Sequence, residues 1–245
     1  MDRTPPQPER AIARKRRRRP TKSGVVLSHE LIVDTAIRLL NQGGGDDALT
    51  VRRLGTALGA DPSSIYRYFR DTDDLVLAVA DELIGRTLAG TRRDGGWRER
   101  LRHVGEHLHA TYVAHPKVAL LAASRVTRRP NEIRAVETGL AIFREAGFPP
   151  DLAARHYHQF VDLTLGFAAL DAAANALPPE AAAADRAAWT ATYARLDPRT
   201  HPHISACAVP LAKTMVTSAY PGALALFLDG LEARLAEVTA PGTGR

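Results

Sequence analysis

The sequence predicts an all-α protein, with three short helices near the N terminus and a larger helical domain after them. Two observations favour this fold class. Apolar residues recur at the three- and four-residue steps of a helix, and no polar–apolar alternation long enough for a strand interrupts them. Pro and Gly residues fall between the periodic segments, where helices begin and end.

The N-terminal segment 1–27 is predicted to be a disordered basic arm. It holds nine Lys or Arg and two Asp or Glu, whereas the whole chain has a formal net charge of +6. Residues 28–90, by contrast, hold six Arg and ten acidic residues. A basic segment without an apolar run does not bury a core. Such runs are common nucleic-acid arms, and a solubilising tail has the same composition.

The first helix is predicted within residues 27–44, and the second begins at Thr50. The Thr50 hydroxyl can accept a hydrogen bond from an unpaired backbone N–H of the first turn. Leu54 and Leu58 then lie on one helix face. Gly59 stands where a helix commonly ends in the left-handed conformation.

A second helix start follows at once. Asp61 can cap a helix whose first turn contains Pro62, a position that needs no N–H. Ile65 and Phe69 are four residues apart, so they share the face that would pack on the preceding helix. The acidic sequence 72–74 opens a third helix near its positive end. Two short helices joined by a Gly-containing turn are the signature of a helix-turn-helix.

Residues 28–90 resemble the N-terminal domain of TetR-type transcriptional regulators. The resemblance rests on the first helix together with LTVRRLGTALGADPSSIYRYFRDTDDL. The C-terminal run that resembles the tetracycline-repressor subgroup is TSAYPGALALFLDGLEARL. The resemblance implies a repressor that a small molecule releases from a palindromic operator. Its parts would be the arm 1–27, a helix-turn-helix domain over 28–90, and an effector-binding and dimerisation domain over 91–245.

The resemblance also implies which side chains contact double-stranded DNA. Ser63 and Ser64 would lie nearest the bases, and Arg67 has the reach for a bidentate guanine contact, the commonest specific contact in the major groove. The full set of expected contacts to phosphates or base edges is Thr50, Arg52, Ser63, Ser64, Tyr66, Arg67, Tyr68, Arg70 and Thr72.

Thr72 departs from the family pattern, which commonly has a phosphate-binding Lys at this position. Because this cation is missing and residues 28–90 are acidic, we expect the arm to supply more of the phosphate contacts. Phosphate contacts dominate the affinity of DNA-binding proteins, so the lost charge must be supplied elsewhere. The basic residues expected to supply it are Arg16, Arg17, Arg18 and Arg19.

Further helices are predicted along the rest of the chain, with Pro and Gly at nearly every break. Their approximate ranges are 97–115, 118–125, 130–146, 151–177, 180–196, 205–220 and 222–238. Two of them carry apolar residues at alternating steps of three and four, which is typical of nearly parallel or antiparallel helix packing. The core of a monomer gives the same pattern, because a buried helix is apolar on every side.

The family pairs its corresponding helices about a two-fold axis, so the resemblance favours a homodimer. A dimer would also present two helix-turn-helix units to successive major grooves. The residues expected at the interface are Leu163, Phe167, Leu170, Leu224, Leu228, Leu231 and Leu235.

By analogy with the family, the middle region is expected to bind a small-molecule effector. The candidates are polar or aromatic residues among apolar neighbours, as in small-molecule pockets generally. They are His103, His107, Tyr112, Phe143, His156, Gln159 and Phe160. His103 and His107 share a helix face and could hold a metal, but no acid or Cys completes an evident ligand set. No metal and no cofactor are therefore expected.

Two other classes of function stay open. An enzyme is disfavoured because the sequence has no GxSxG, HExxH, Walker-type Gly loop or CxxC pair. A helical ligand-binding or scaffold protein with weak or lost DNA binding is the second alternative, which Thr72 keeps open. The single Cys207, the lack of a visible signal peptide and the lack of about 18 consecutive apolar residues favour a cytoplasmic location. The richness in Ala and Arg indicates a GC-rich bacterial genome.

Overall fold

The computed structural model describes residues 26–42, 49–92, 94–118, 125–215 and 217–240. Within these ranges the chain forms helices and no strand, as the sequence predicts. The elements are α1 (His29–Asn41), α2 (Val51–Leu58), a 3-10 helix (Pro62–Arg67), α3 (Thr72–Ala89), α4 (Trp97–Ala114), α5 (Pro130–Ala146), α6 (Pro150–Asn175), α7 (Pro179–Tyr193), α8 (Pro202–Thr214) and α9 (Tyr220–Thr239).

We call α1, α2, the 3-10 helix and α3 the head, and α4 to α9 the body. Most of the helix predicted at 118–125 and nearly all of the arm 1–27 lie outside the described residues. The second helix of the helix-turn-helix is a six-residue 3-10 helix instead of an α-helix. The 3-10 form is the tighter one, and short helical runs often adopt it.

Local capping fixes the start of each helix in the head. The Thr50 Oγ1 accepts a hydrogen bond from the Arg53 N–H at 3.1 Å. The Asp61 Oδ1 accepts one from the Ser63 N–H at 2.8 Å. Gly59 ends α2 with φ 60°, which favours a residue without a side chain. Helix α3 begins at Thr72, as predicted, and Asp71 caps it by accepting a hydrogen bond from the Asp74 N–H.

The head has its own apolar core. Residues from each of its helices are buried in one cluster, so the two helices of the helix-turn-helix are held against α1 and α3. This cluster leaves the opposite side of the 3-10 helix free of core contacts. The buried side chains of this cluster include Ile32, Val33, Leu54, Leu58, Ile65, Phe69, Leu75 and Leu83.

The body is built around α4, α5, α6 and α9. Its main cluster contains Leu101, Phe143, Phe148, Phe160, Tyr220 and Leu228. A Cβ added at Gly105 of α4 would lie 2.4 Å from the Tyr220 hydroxyl oxygen and 3.2 Å from the Phe160 ring. Because no real Cβ tolerates the first distance, this glycine allows α4 to approach α6 and α9 closely.

Helices α7 and α8 pack against each other as a hairpin. No residue of either helix, both described in full, is buried. The rings of Trp189 and Tyr193 stack with their centroids 3.7 Å apart. Pro202 opens α8, and α9 begins at Tyr220. The last two helices therefore start two to three residues before the predicted positions.

In the part of the chain that the structure describes, no single helix has the length and apolar composition needed to cross a bilayer. Helices α6 and α7 meet both criteria only when they are taken together, and they are bent by 104° at the break between them.

Candidate functional site

The 3-10 helix of the head has one buried and one exposed side. Ile65 and the following Phe69 are buried in the head core. Ser63 and Arg67 are exposed, and the Tyr66 side chain is 54% exposed. The buried side therefore anchors the helix on the head core, and hydroxyl, phenol and guanidinium groups project from the opposite side. Such groups can donate hydrogen bonds to phosphate oxygens and to base edges in a DNA groove.

The other expected contacts lie around this helix. Arg52 is exposed in the first turn of α2, and the Arg70 side chain is 84% exposed just after the 3-10 helix. Ser64 and Thr72 are half-buried, and Thr72 is the first residue of α3. The structure therefore leaves the two guanidinium groups exposed and partly covers Ser64 and Thr72. The arginines Arg16, Arg17, Arg18 and Arg19 lie outside the described residues.

Tyr68 takes a different position from the one expected. Its side chain packs on the head core, and its hydroxyl donates a hydrogen bond to the Leu27 carbonyl at 2.7 Å. The only hydrogen of that hydroxyl is therefore already used within the head. This hydrogen bond indicates a structural role, in which Tyr68 fixes the chain where it enters α1, and the phosphate contact stays a prediction.

The start of α3 combines acids with arginines from the body. Arg125 donates two hydrogen bonds to the Asp73 carboxylate, which lower the pKa of that carboxyl. The backbone N–H of Arg70 and the charge of Arg129 lower the pKa of Asp74. Both carboxylates therefore stay ionised at neutral pH. At the start of α3 their negative charge is offset by cations.

The expected effector residues do not form one site. Phe143 and Phe160 lie in the main core of the body, with ring centroids 6.5 Å apart. Tyr112 is buried in a smaller cluster with Ala168, and this burial raises its pKa to about 12. The sequence could not show this division, because aromatic residues at helical spacing occur both in cores and in pockets.

His156 and Gln159 line a groove of about 600 Å³ between α6 and α9. The His156 Nδ1 lies 2.9 Å from the Gln159 Oε1. The other ring nitrogen is buried and has no hydrogen-bond partner among the residues that the structure describes. Leu226, Arg234 and Glu237 of α9 line the other wall. All the residues that line this groove therefore come from α6 and α9.

The His pair on α4 does not resemble a metal site. The His103 Nε2 lies 3.2 Å from a Glu99 carboxylate oxygen. The His107 Nδ1 lies 3.0 Å from the His103 carbonyl of its own helix, so that nitrogen is already engaged. Among the described residues, no group of three or more His, Cys, Asp or Glu is placed to hold a metal ion.

The sequence analysis missed a polar cluster in the body. The His109 Nε2 lies 2.8 Å from the Asp171 Oδ2, which also accepts a hydrogen bond from Ser218. The His109 ring stacks on Tyr220 with centroids 4.3 Å apart. Burial raises the pKa of Tyr220 to about 12, and its hydroxyl lies 3.1 Å from the Thr164 Oγ1. No sequence signal marks this cluster, because its members come from separate parts of the chain.

A second cleft, of about 390 Å³, lies between α3, α4 and α5. Its lining combines the apolar Leu88, Val104 and Ile133 with the polar Arg100 and Glu137. It therefore has the mixed lining of a small-molecule site, and its volume falls within the usual range of about 300–1,000 Å³.

The dimer residues predicted on α9 require correction. Leu224, Leu228 and Leu231 are buried in the body of a single chain, so they cannot contact a second copy. Leu235 is half-buried against the same core. The regular spacing of these residues reflects packing of α9 on α4 and α6, which is the monomer alternative. The large apolar residues that α9 exposes are Leu226, which is 74% exposed, and Val238, which is 42% exposed.

The predicted residues of α6 lie in different environments. Leu163 is half-buried, and Phe167 packs partly on the body core, 5.9 Å from the Tyr220 ring. Leu170 is 68% exposed. Of the seven residues predicted for the interface, Leu170 is the one fully available to a partner.

Two family models match this chain. The model of bacterial regulatory proteins of the tetR family matches residues 32–79. The model of the tetracyclin repressor-like C-terminal domain matches residues 89–235, more than half of the chain. The matched ranges cover the helix-turn-helix of the head and most of the body.

Among similar proteins is the HTH-type transcriptional repressor Rv1353c of Mycobacterium tuberculosis (strain ATCC 25618 / H37Rv). It is 33% identical over 122 residues, which are 49% of this chain and 45% of that protein. The chain thus spans about half the length of the curated relatives it matches. A possible TetR family transcriptional regulator from Streptomyces coelicolor A3(2) is 32% identical, with a TM-score of 0.69, covering 84% of this chain and 100% of that one.

The fold is also similar to that of the TetR family protein ActR of Streptomyces coelicolor, solved in complex with actinorhodin. That chain has a TM-score of 0.73 at 22% identity, with coverage of 87% of this chain and 97% of ActR. At this identity the similarity shows a shared fold.

Proposed function

The chain belongs to the TetR family of bacterial regulatory proteins, and from this membership we propose that it is a transcriptional repressor that binds DNA through the head. The observation that carries the proposal is the two-sided 3-10 helix. Its buried Ile65 and the buried Phe69 just after its end fix its orientation, and Ser63, Tyr66 and Arg67 project outward. The family is one of transcriptional regulators, so we propose binding without catalysis, in the cytoplasm of a bacterium.

DNA footprinting tests this proposal. We expect wild-type protein to protect a palindromic site upstream of a gene that it regulates. Arg67→Ala should relax specificity at one base pair and cost about 1–3 kcal/mol of binding free energy, as for a bidentate base contact. Arg52→Ala, which removes an expected phosphate contact, should weaken binding to all sequences alike. A full-length protein that protects no site would favour the alternative, a helical ligand-binding or scaffold protein that has lost specific DNA binding.

The basic arm should supply part of the affinity. Deleting residues 1–22 is expected to weaken binding to all DNA sequences and to flatten its salt dependence, by about 0.9 slope units for each lost phosphate contact. The measurement is the slope of the logarithm of affinity against the logarithm of salt concentration, for full-length and shortened proteins. An unchanged slope would identify residues 1–22 as a solubilising tail.

We also propose a homodimer through the exposed faces of α6 and α9. Leu170 of α6 and Leu226 of α9 are large, exposed apolar side chains. A Cβ added at Gly166, Gly222 or Gly230 would meet no atom within 4 Å in the described part of the chain, so a partner helix has room to approach. The groove of about 600 Å³ between the two helices offers a recess for it. Two heads could then read the half-sites of a palindrome.

The proposed effector site is the cleft of about 390 Å³ between α3, α4 and α5. Its mixture of apolar residues with Arg100, Glu137 and Thr138 supports binding of a small molecule that carries both polar and apolar groups. The cleft is bounded by α3, which belongs to the head, so an occupant would contact head and body together. Release of protein from DNA by a bound small molecule is the expected response.

A further inference from the structure

Three acids of α3 contact one short stretch of the body, residues 125–132, which we call the 125–132 segment. The Asp73 carboxylate accepts two hydrogen bonds from the Arg125 guanidinium, at 2.8 and 2.7 Å. The Asp74 Oδ1 accepts one from the Arg129 Nη2 at 2.7 Å. The second pair is largely withdrawn from solvent, with side-chain exposures of 15% for Asp74 and 24% for Arg129.

The third acid, Asp81, is buried and is hydrogen-bonded to the first turn of α5. Its carboxylate accepts hydrogen bonds from the backbone N–H of Glu132 at 2.9 Å and from the Thr127 hydroxyl at 3.3 Å. Arg129, the residue before α5, makes no side-chain capping bond among the described residues. The Asp81 carboxylate of the head therefore accepts a hydrogen bond from the first turn of α5, which an N-cap side chain ordinarily accepts. The 125–132 segment is docked on α3 along about two turns of that helix.

The 125–132 segment is also held internally. The Glu132 carboxylate accepts the backbone N–H of Thr127 at 3.1 Å and that of Arg128 at 2.7 Å. Arg128 has φ 58°, a conformation that residues with side chains rarely adopt. Such a backbone persists where its surroundings fix it. The segment is therefore rigid enough to couple the position of the head to that of the body.

Asp74 also contacts the DNA-facing part of the head. Its Oδ2 accepts the backbone N–H of Arg70, just after the 3-10 helix, at 3.0 Å. Its own N–H donates to Asp71, which caps α3. One carboxylate thus joins Arg129 of the body to the end of the 3-10 helix. Lowered pKa values keep Asp73 and Asp74 ionised, as these contacts require.

We propose that the 125–132 segment sets the orientation of the head on the body, with Arg129 and Asp74 as its central positioning pair. This inference rests on the proposed function. In a dimer, the angle of each α3 sets the distance between the two DNA-reading helices. A duplex with two half-sites at fixed spacing requires that distance, whereas an isolated half-site does not. Loss of the pair should therefore affect the first kind of DNA selectively.

The test compares Arg129→Gln with wild type on two duplexes. One is the two-half-site sequence that wild-type protein selects from random DNA, and the other carries a single half-site. We expect Arg129→Gln to lose about ten-fold in affinity for the first, in the range of usual coupling between sites, and to bind the second as wild type does. Arg129→Lys, which retains the charge, should recover part of the loss.

The matched control is Arg98→Gln. Arg98 is similarly exposed and pairs with Asp229 and Glu232, but all three residues belong to the body. It should bind both duplexes as wild type does. Thermal unfolding of each variant identifies any that fails to fold, and Asp74→Asn then removes the same pair from the other side.

Each remaining outcome is decisive. Equal loss on both duplexes would show that Arg129 contacts phosphate or supports the fold of the head, and would overturn the positioning role. Unchanged affinity for both duplexes, with Asp74→Asn behaving alike, would overturn it as well. Wild-type protein that selects no sequence would contradict the proposed function itself, and the inference with it.

Discussion

Leu226→Glu is expected to give a folded monomer, and Leu231→Glu a protein whose body does not fold. The two residues lie on the same helix, five positions apart, but on opposite faces. Leu226 is 74% exposed on the proposed dimer face, where a new carboxylate remains in water. Leu231 is buried in the core of the body. Truncation of a buried Leu costs about 2–5 kcal/mol, and burial of an unpaired carboxylate adds to that cost.

Sedimentation and circular dichroism separate these outcomes. Wild type should sediment as a dimer, and Leu226→Glu should sediment as a monomer with unchanged helical signal. The monomer should lose most of its affinity for a two-half-site operator, because each head then binds alone. Leu170→Glu on α6 is the companion variant, since that residue is also exposed. A Leu226→Glu protein that stays dimeric would place the interface on another face.

The second large effect is expected in the head. Phe69→Ala should destabilise the head by about 3–5 kcal/mol, because it removes a buried aromatic ring from a small core. This ring packs in the head cluster and lies 4.7 Å from the His29 ring. The 3-10 helix depends on this core for its orientation, so DNA binding should be lost. The body has a separate core and should stay folded.

Tyr66→Ala is the matched control for Phe69→Ala. Tyr66 is an aromatic residue three positions before Phe69, within the 3-10 helix, but it is 54% exposed. Its truncation should change the stability of the head by less than about 0.5 kcal/mol, as for surface residues generally, and should still weaken DNA binding. Urea unfolding and gel shifts measure the two effects separately. Equal destabilisation by both variants would contradict the two-sided arrangement of this helix.

The features that could be predicted from sequence depend on residues close together in the chain. Thr50 and Asp61 cap helices because their side chains reach backbone groups two or three residues away. Gly59 ends α2 because its own φ angle allows it. The limits of α5, 130–146, follow from a Pro at one end and a Gly at the other. Such signals are local, so they can be recognised in the sequence before the fold is known.

The dimer face could not be read in the same way. The steps of three and four along α9 predict that Leu224, Leu228 and Leu231 are buried, as they are. They do not show whether these residues pack on the same chain or on a second copy. A helix packed on its own chain and a helix packed on a second copy require the same periodicity. The glycines and Leu226 on the other face give only a weak pattern. Only the position of α9 against α4 and α6 distinguishes the two faces.

By itself, the sequence determined the helical class, the helix-turn-helix and the side of it that carries Ser63 and Arg67, because helix periodicity and caps act over a few residues. Only the tertiary structure decided which face of α9 is internal and which arginine meets Asp74. The Arg129–Asp74 pair spans 55 positions of sequence. Charges that far apart in the chain have many possible partners, and the packing of the body on α3 selects one of them.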